Sequence, residues 1–376
     1  MLNFTKTKVL TIYLIFTFTS LFSLLNFDKI QYLDKKVNLG LDLQGGSYLL
    51  LEIDTDPLIK EKIQGKVIPL KKFLKENNFE YQNFKINKKS LFFSIKENEL
   101  DKFKLLFFKK DENNLNQFIN QYNTHELDFD NDDKNIEIFF SKYGILTINN
   151  SALKQSIEIV RRRIDDVGTK EPTILQRGDK RILVELPGLK NPDRIKNLLG
   201  KTAQLNFRLV SQSNSEFGSE KMLSENGQEL FVSKRIIMSG DNLIDAQPRL
   251  DSQANEPIVY FSLDRLGAQK FGKTTLEHVG KRLAIVLDNS IISAPSIREP
   301  ITGGSGTISG NFTFQEATDL ALLLRSGALP TPINIVEERT VGPDLGADSI
   351  ESGKLSLLIG FILVIFYMFF KYKIFG

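Results

Sequence analysis

Two uncharged apolar runs, Val9 to Phe27 and Leu355 to Phe370, lie near the two ends of this chain, so whatever folds between them is held at both ends. The first has 19 residues and the second 16. A helix rises about 1.5 Å per residue against a hydrocarbon core of about 30 Å. The first run is long enough to span, and Lys354 can extend the slightly short second one by snorkelling. A cleaved signal peptide is the alternative for the first run. Leu24, Leu25, Asn26 and Phe27 are too large for a cleavage site, which favours an uncleaved anchor. The second run has no polar face, which favours a span over a buried core helix. Lys6, Lys8, Lys371 and Lys373 flank the outer ends with no acid beside them, which predicts both termini inside and residues 28–354 outside.

That middle region is too long for one core, and two or three subdomains are expected. A net charge of +3 offers no argument for nucleic acid, and the absence of cysteine excludes disulfides and thiolate metal sites.

Residues 38–54 read as strand, glycine turn, strand. Residues 57–148 read as a small α+β part, with helices at 58–77 and 99–108, strands at 90–96 and 136–140, and a polar loop over 111–133. A helix is expected from about Ala152 to Val167, ended by Gly168, then strands at 173–176 and 181–186. A further helix opens with Asn191 as N-cap and Pro192 at the first position, and a strand follows at 203–210. Helix, strand, strand, helix, strand is most of a ferredoxin-like unit. After a polar boundary at 211–230, strands are expected at 231–238, 257–263, 283–287 and 291–294, with a helix near 265–279. Thr313 and Glu316 form a capping box for a helix over 314–326, and a last strand covers 333–337.

Gly267 to Thr274 matches the P-loop pattern G-x-x-x-x-G-K-[ST], and Leu283 to Asp288 imitates a Walker B strand. The interior residues Gln269, Lys270 and Phe271 are bulky and good in helices, which favours a packed helix over a phosphate cradle. Gly303, Gly304 and Gly306 fit a flexible hairpin. Asp128, Asp130, Asp132 and Asp133 lack the glycine and glutamate of a calcium loop and read as a solvated acidic turn. Neither His125 nor His278 belongs to a metal or triad arrangement, and Arg161 to Arg163 read as a solvated helix face. No catalytic, cofactor or metal residues emerge.

Four blocks together resemble one family. They are Leu39 to Gly46, Arg181 to Gly188, Leu323 to Pro330 and Val336 to Gly346, in this order between the two runs; Ala284 to Asp288 with Ala294 and Pro295 adds to them. The chain resembles the SecD family, protein-export membrane subunits of the bacterial Sec translocon. The resemblance implies an α+β fold: a ferredoxin-like base (28–211, with its N-terminal α+β part at about 57–148), an inserted head (212–325), and a return to the base (326–350). Transmembrane helices at 9–27 and 355–370 flank these. It implies a non-enzymatic role, without cofactor, in which a periplasmic head on the bacterial inner membrane grips emerging unfolded preproteins and moves. The implied partners are SecF, the SecYEG channel and YajC, with the proton gradient as power. The resemblance also implies six spans, so this chain would be the part through the second, with the proton relay beyond it. It implies structural roles for a few residues: Asp42, Gln44, Gly45 and Gly46 at the turn from span to base, Pro187 with Gly188 and Gly342 with Pro343 at turns, and Arg325, Gly327 and Pro330 at the head hinge. The rival reading is a two-span receptor ectodomain.

Overall fold

A computed structural model describes residues 5–27, 45–110, 114–132, 134–169, 171–189, 192–211, 218–224, 227–251, 255–341 and 343–372. The chain divides into two units, one of residues 1–46 with 341–376 and one of 47–340. In the first unit lie helix α1 (Lys6–Phe27) and helix α9 (Pro343–Tyr372). Within α9, Ile350–Tyr372 is the one segment among the described residues long and apolar enough to cross a membrane; the apolar stretch Thr7–Leu21 of α1 is shorter by the same measure. This apolar helical segment contains the span expected at 355–370. Helix α9 runs unbroken through Glu351 and Lys354, so the helical segment extends to Ile350 with these two charges near its start. Phe366 and Phe370 are 67% and 81% exposed, as lipid-facing rings would be in the absence of lipid.

In the second unit, strand β1 (Gly46–Ile53) leads into a module made of α2 (Asp56–Gly65), α3 (Val67–Glu76), β2 (Gln82–Ile86), β3 (Ser90–Ser94), α4 (Leu100–Phe107), β4 (Phe118–Ile119), β5 (Thr124–His125), β6 (Leu127–Asp132) and β7 (Asn135–Phe140). Its main sheet has the order β2-β3-β7-β6. Two helices replace the single one expected over 58–77. Pro69 has no N–H to give Gly65, so the hydrogen-bond ladder breaks at Lys66. The expected loop over 111–133 contains strands. Leu127 is buried against Phe140 while Asp128, Asp130 and Asp132 face solvent, so the acidic residues belong to strand β6 and not to a turn. Phe103 sits at the module's centre among Phe73, Phe79, Phe93, Phe107 and Phe129, at ring separations of 5.3–6.0 Å.

Helix α5 (Lys142–Val167) follows, ten residues longer at its start than its apolar spacing predicts. Ser141 caps it by accepting from the Gly144 N–H at 3.0 Å. Ile148, near its start, packs into the module, and Leu153, Val160 and Ile164 pack into the next core. Gly168 ends it at φ +83°, as expected. Next come β8 (Thr173–Arg177), β9 (Arg181–Pro187) and α6 (Asp193–Gly200), whose N-cap is Pro192. The expected cap, Asn191, lies outside the described residues. The sheet closes with β19 (Ile333–Val341) in the order β19-β1-β9-β8. Along β1, α5, β8, β9, α6, β19, that is the fourth, first, third and second strand, the ferredoxin-like arrangement.

The fourth strand is not the expected 203–210. That segment, β10 (Leu205–Leu209), leaves the base and pairs antiparallel with β13 (Met238–Ser239) and β16 (Leu283–Leu287). It opens a head inserted between α6 and β19, which also holds β11 (Ser219–Leu223), β12 (Glu229–Ser233), β14 (Leu243–Leu250), β15 (Pro257–Leu263), α7 (Arg265–Glu277), β17 (Ser290–Ser293), β18 (Ser305–Ser309) and α8 (Phe314–Ser326). Two sheets, β13-β10-β16-β17 and β14-β15-β18, share a core around Phe207, Phe261 and Phe271, against which α8 packs Ala317, Leu320 and Leu324. Strand β14 has no counterpart in the sequence reading because Asp245 and Pro248 interrupt it; on a sheet edge both are tolerated.

Candidate functional site

The head hangs on the base by two chain crossings, one after α6 at 201–204 and one after α8 at 326–329, and the Leu329 N–H donates to the Thr202 carbonyl at 2.8 Å to join them. Between them lies Arg163 of α5, 1% exposed. Its Nη1 donates to the Leu198 carbonyl at 2.7 Å and the Lys201 carbonyl at 2.5 Å. Its Nη2 donates to the Thr202 and Gly327 carbonyls at 3.3 and 3.2 Å, and its Nε to the Ser326 hydroxyl at 3.4 Å. Two helices, α6 and α8, end at this point. Their last carbonyls lack partners within the helix and carry partial negative charge, which one planar cation with five donors can answer. Burial lowers the guanidinium's proton affinity to about 10, and the Asp288 carboxylate partly offsets this.

The head contributes Asp288, at the turn between β16 and β17. Asp288 and Asn289 both have positive φ, +46° and +67°, as a tight two-residue hairpin requires. The Asp288 carboxylate accepts from the Ala203 N–H at 3.0 Å, from the Gln204 N–H at 2.9 Å and from the Thr202 hydroxyl. Two exposed pairs also cross the junction. Arg194 of α6 meets Asp319 of α8 at 2.7 Å, and Arg325 meets Asp166 of α5 at 3.0 Å.

Of the residues singled out in the sequence, Arg325 and Gly327 (φ +93°) lie in this neck, and Pro330 follows it directly. Gly45 and Gly46 have φ +69° and +138°, and Gly46 opens β1. Pro187 ends β9, Gly188 turns the chain at φ +72°, and Pro343 opens α9. Asp42, Gln44 and Gly342 lie outside the described residues. Reading Arg161 to Arg163 as a solvated face is corrected for Arg163. It falls three residues after Val160 and four after Ile159, on the buried stripe, and that phase was the available signal. Asp288 and Ala203 had no signal, because only the hairpin's return brings the carboxylate to the crossing.

The P-loop reading does not survive. Gly267 to Thr274 lie inside α7, whose N-cap Asp264 accepts from the Gly267 N–H at 2.6 Å. A Cβ on Gly267 would meet Asn242 at 2.7 Å, and one on Gly272 would meet the Thr302 backbone at 3.3 Å, so these glycines serve close packing. Phe271 is buried and Lys273 exposed.

A ferredoxin-like base with a second α+β subdomain carried on a clamped neck defines a two-lobed domain, and a helix long and apolar enough to cross a membrane follows it in the chain. Three family models match it in order: the SecD/SecF GG motif over residues 33–57, the N-terminal P1 domain of protein translocase subunit SecDF over 153–212, and the SecDF P1 head subdomain over 212–331. Protein translocase subunit SecD of Rickettsia conorii is 42% identical over 353 residues, covering 90% of this chain and 66% of that protein. That of Rickettsia bellii is 39% identical over 389 residues, covering 100% and 73%, and that of Acetobacter pasteurianus 41% over 361 residues, covering 91% and 66%. A crystal structure of SecDF in a super-membrane-facing form superposes with a TM-score of 0.51 at 26% identity, covering 97% of this chain and 39% of that one. The chain belongs to the SecD family of protein translocase subunits, and it spans about two thirds to three quarters of the length of these SecD relatives.

Proposed function

We propose that this chain serves protein export by holding a mobile head outside the membrane, on the periplasmic side of the bacterial inner membrane. The head binds unfolded preprotein as it emerges and moves on the base to draw it outward. SecF, the SecYEG channel and YajC are the partners of this reading. Proton flow through further membrane segments supplies the energy. The observation that carries it is the neck: an entire subdomain with its own core joined to the base by two short crossings, both gathered on one arginine. Preprotein contact falls to the head surface, because an unfolded client offers mainly backbone and mixed side chains.

Two measurements test this. Residues 47–340 in sealed inner-membrane vesicles are expected to resist protease added on the cytoplasmic side, and cleavage there reverses the topology. A thiol cross-link between Arg194→Cys and Asp319→Cys, across the base–head junction, is expected to stop export by the assembled translocase. Unimpaired export with the link closed refutes head motion.

A further inference from the structure

Each crossing contains one residue in an unusual backbone conformation. On the second it is Gly327, at φ +93° and ψ 163°, a region essentially reserved for glycine. On the first it is Ala203, at φ +61° and 3% exposed. Left-handed backbone brings an alanine's Cβ against the following carbonyl oxygen, and such strain persists only where neighbours hold it. Leu198, Leu322 and Leu323 pack around the Ala203 methyl group, and the polar neighbour is Asp288. Its two oxygens take the N–H of Ala203 itself and the N–H of Gln204, so the carboxylate and the left-handed turn select each other. Arg163 binds the carbonyls of Thr202 and Gly327, one residue before Ala203 and at Gly327 itself, and so anchors the base side of both crossings. The chain between these two points, from Leu205 to Leu324, supplies the head core, while Leu329 and Ile333 return to the base core. The one charged group of the head that grips the first crossing is Asp288, among the described residues.

We infer that Ala203 and Asp288 form a strain-loaded latch: with Asp288 seated, Ala203 is held left-handed and the head keeps the orientation seen here; with Asp288 released, Ala203 relaxes and β10 leaves the base in a new direction. A change of φ at a single residue re-aims everything that follows it, which is how hinge residues work. Arg163 stays fixed and serves as the pivot. Gly327 follows without penalty because it has no Cβ. This rests on the reading that the head turns on the base.

The chain has no cysteine, so two labels can be placed cleanly. Leu175→Cys on the base and Ile244→Cys on the head replace exposed side chains, 54% and 64% accessible. The full chain in lipid nanodiscs would carry spin labels there, read by pulsed dipolar spectroscopy. Two distances are expected. Ala203→Gly removes the strain and should raise the ratio of the present orientation to the other roughly tenfold. Asp288→Asn keeps a residue suited to the hairpin but loses one acceptor oxygen, and should lower the ratio roughly tenfold. The double variant should fall between. Two distances in unchanged proportion across all variants would overturn the latch and leave a moving head. One narrow distance in every variant would overturn both the latch and the motion.

Discussion

Replacing Arg163 with methionine keeps the side chain's apolar length and removes every donor from the neck. The Thr202 carbonyl keeps the Leu329 N–H, and the Ser326 hydroxyl still donates to the Leu323 carbonyl at 3.0 Å, so these two groups lose little. The Leu198 and Lys201 carbonyls lose their charged donors at 2.7 and 2.5 Å, and Gly327 loses a longer one at 3.2 Å. Bonds to a charged donor contribute about 1.5–3 kcal/mol each, so the two short ones amount to about 3–6 kcal/mol. Relief from burying a guanidinium returns part of this. The net loss is about 3 kcal/mol, which corresponds to roughly a hundredfold in a local opening equilibrium. Hydrogen exchange of the full chain reads that directly. Amides at 198–204 and 327–329 should exchange roughly a hundredfold faster in Arg163→Met, while those of β3 and β7 in the N-terminal module stay unchanged. Arg163→Lys, with three donors and no planar fork, should fall between. An increase below about threefold in Arg163→Met, or an equal change in the module, would refute the clamp.

Phe103→Ala should destabilise the N-terminal module by about 3–5 kcal/mol, since it empties the space between five aromatic rings; a loss below about 1 kcal/mol in denaturant unfolding would contradict the packing described. Glu316 accepts from the Thr313 N–H at 2.8 Å and from its hydroxyl, which lowers its proton affinity below the usual carboxylate range. Its stabilisation is therefore full above the ordinary glutamate value and lost as pH falls through the lower folded-state value. Glu316→Gln should lose less thermal stability between pH 6 and pH 3 than the parent chain, and equal slopes would refute the cap's role. Arg163, whose folded-state value lies at about 10, below the unfolded one, is protonated in both states at neutral pH. It should add no slope to stability below about pH 9, and makes stability rise with pH only above 10; comparing Arg163→Met with the parent across that range checks the sign. Lys273→Ala should leave stability within about 0.5 kcal/mol, and calorimetry should detect no ATP affinity in either form.

Periodicity made most elements legible. The alternating burial of β15, the short apolar runs of β9 and β16, the apolar spacing of α5, and the capping box of α8 all reside within a few consecutive residues, where local physics acts. The failures were local conflicts settled by distant partners. Strand β6 reads as loop because its aspartates outnumber its apolar residues, and pairing with β7 overrides that. Helix α5 starts at Lys142 because the module packs against Ile145 and Ile148, although Asn149, Asn150 and Ser151 are poor helix formers.

The hinge residues Arg325 and Gly327 were readable because a helix end, a glycine and following prolines are neighbours along the chain. The clamp was not, because its members lie up to 164 residues apart, from Arg163 to Gly327, and meet only after the head has folded out from the base and returned. The apolar runs, the order of strands and helices, and the family follow from the residues in sequence. Which lobe owns β10, why an arginine is buried without a carboxylate in contact, and why an alanine is held left-handed follow from three-dimensional closure. Two helix ends and a hairpin turn converge there, and their unpaired carbonyl and N–H groups need partners that no local stretch of chain supplies.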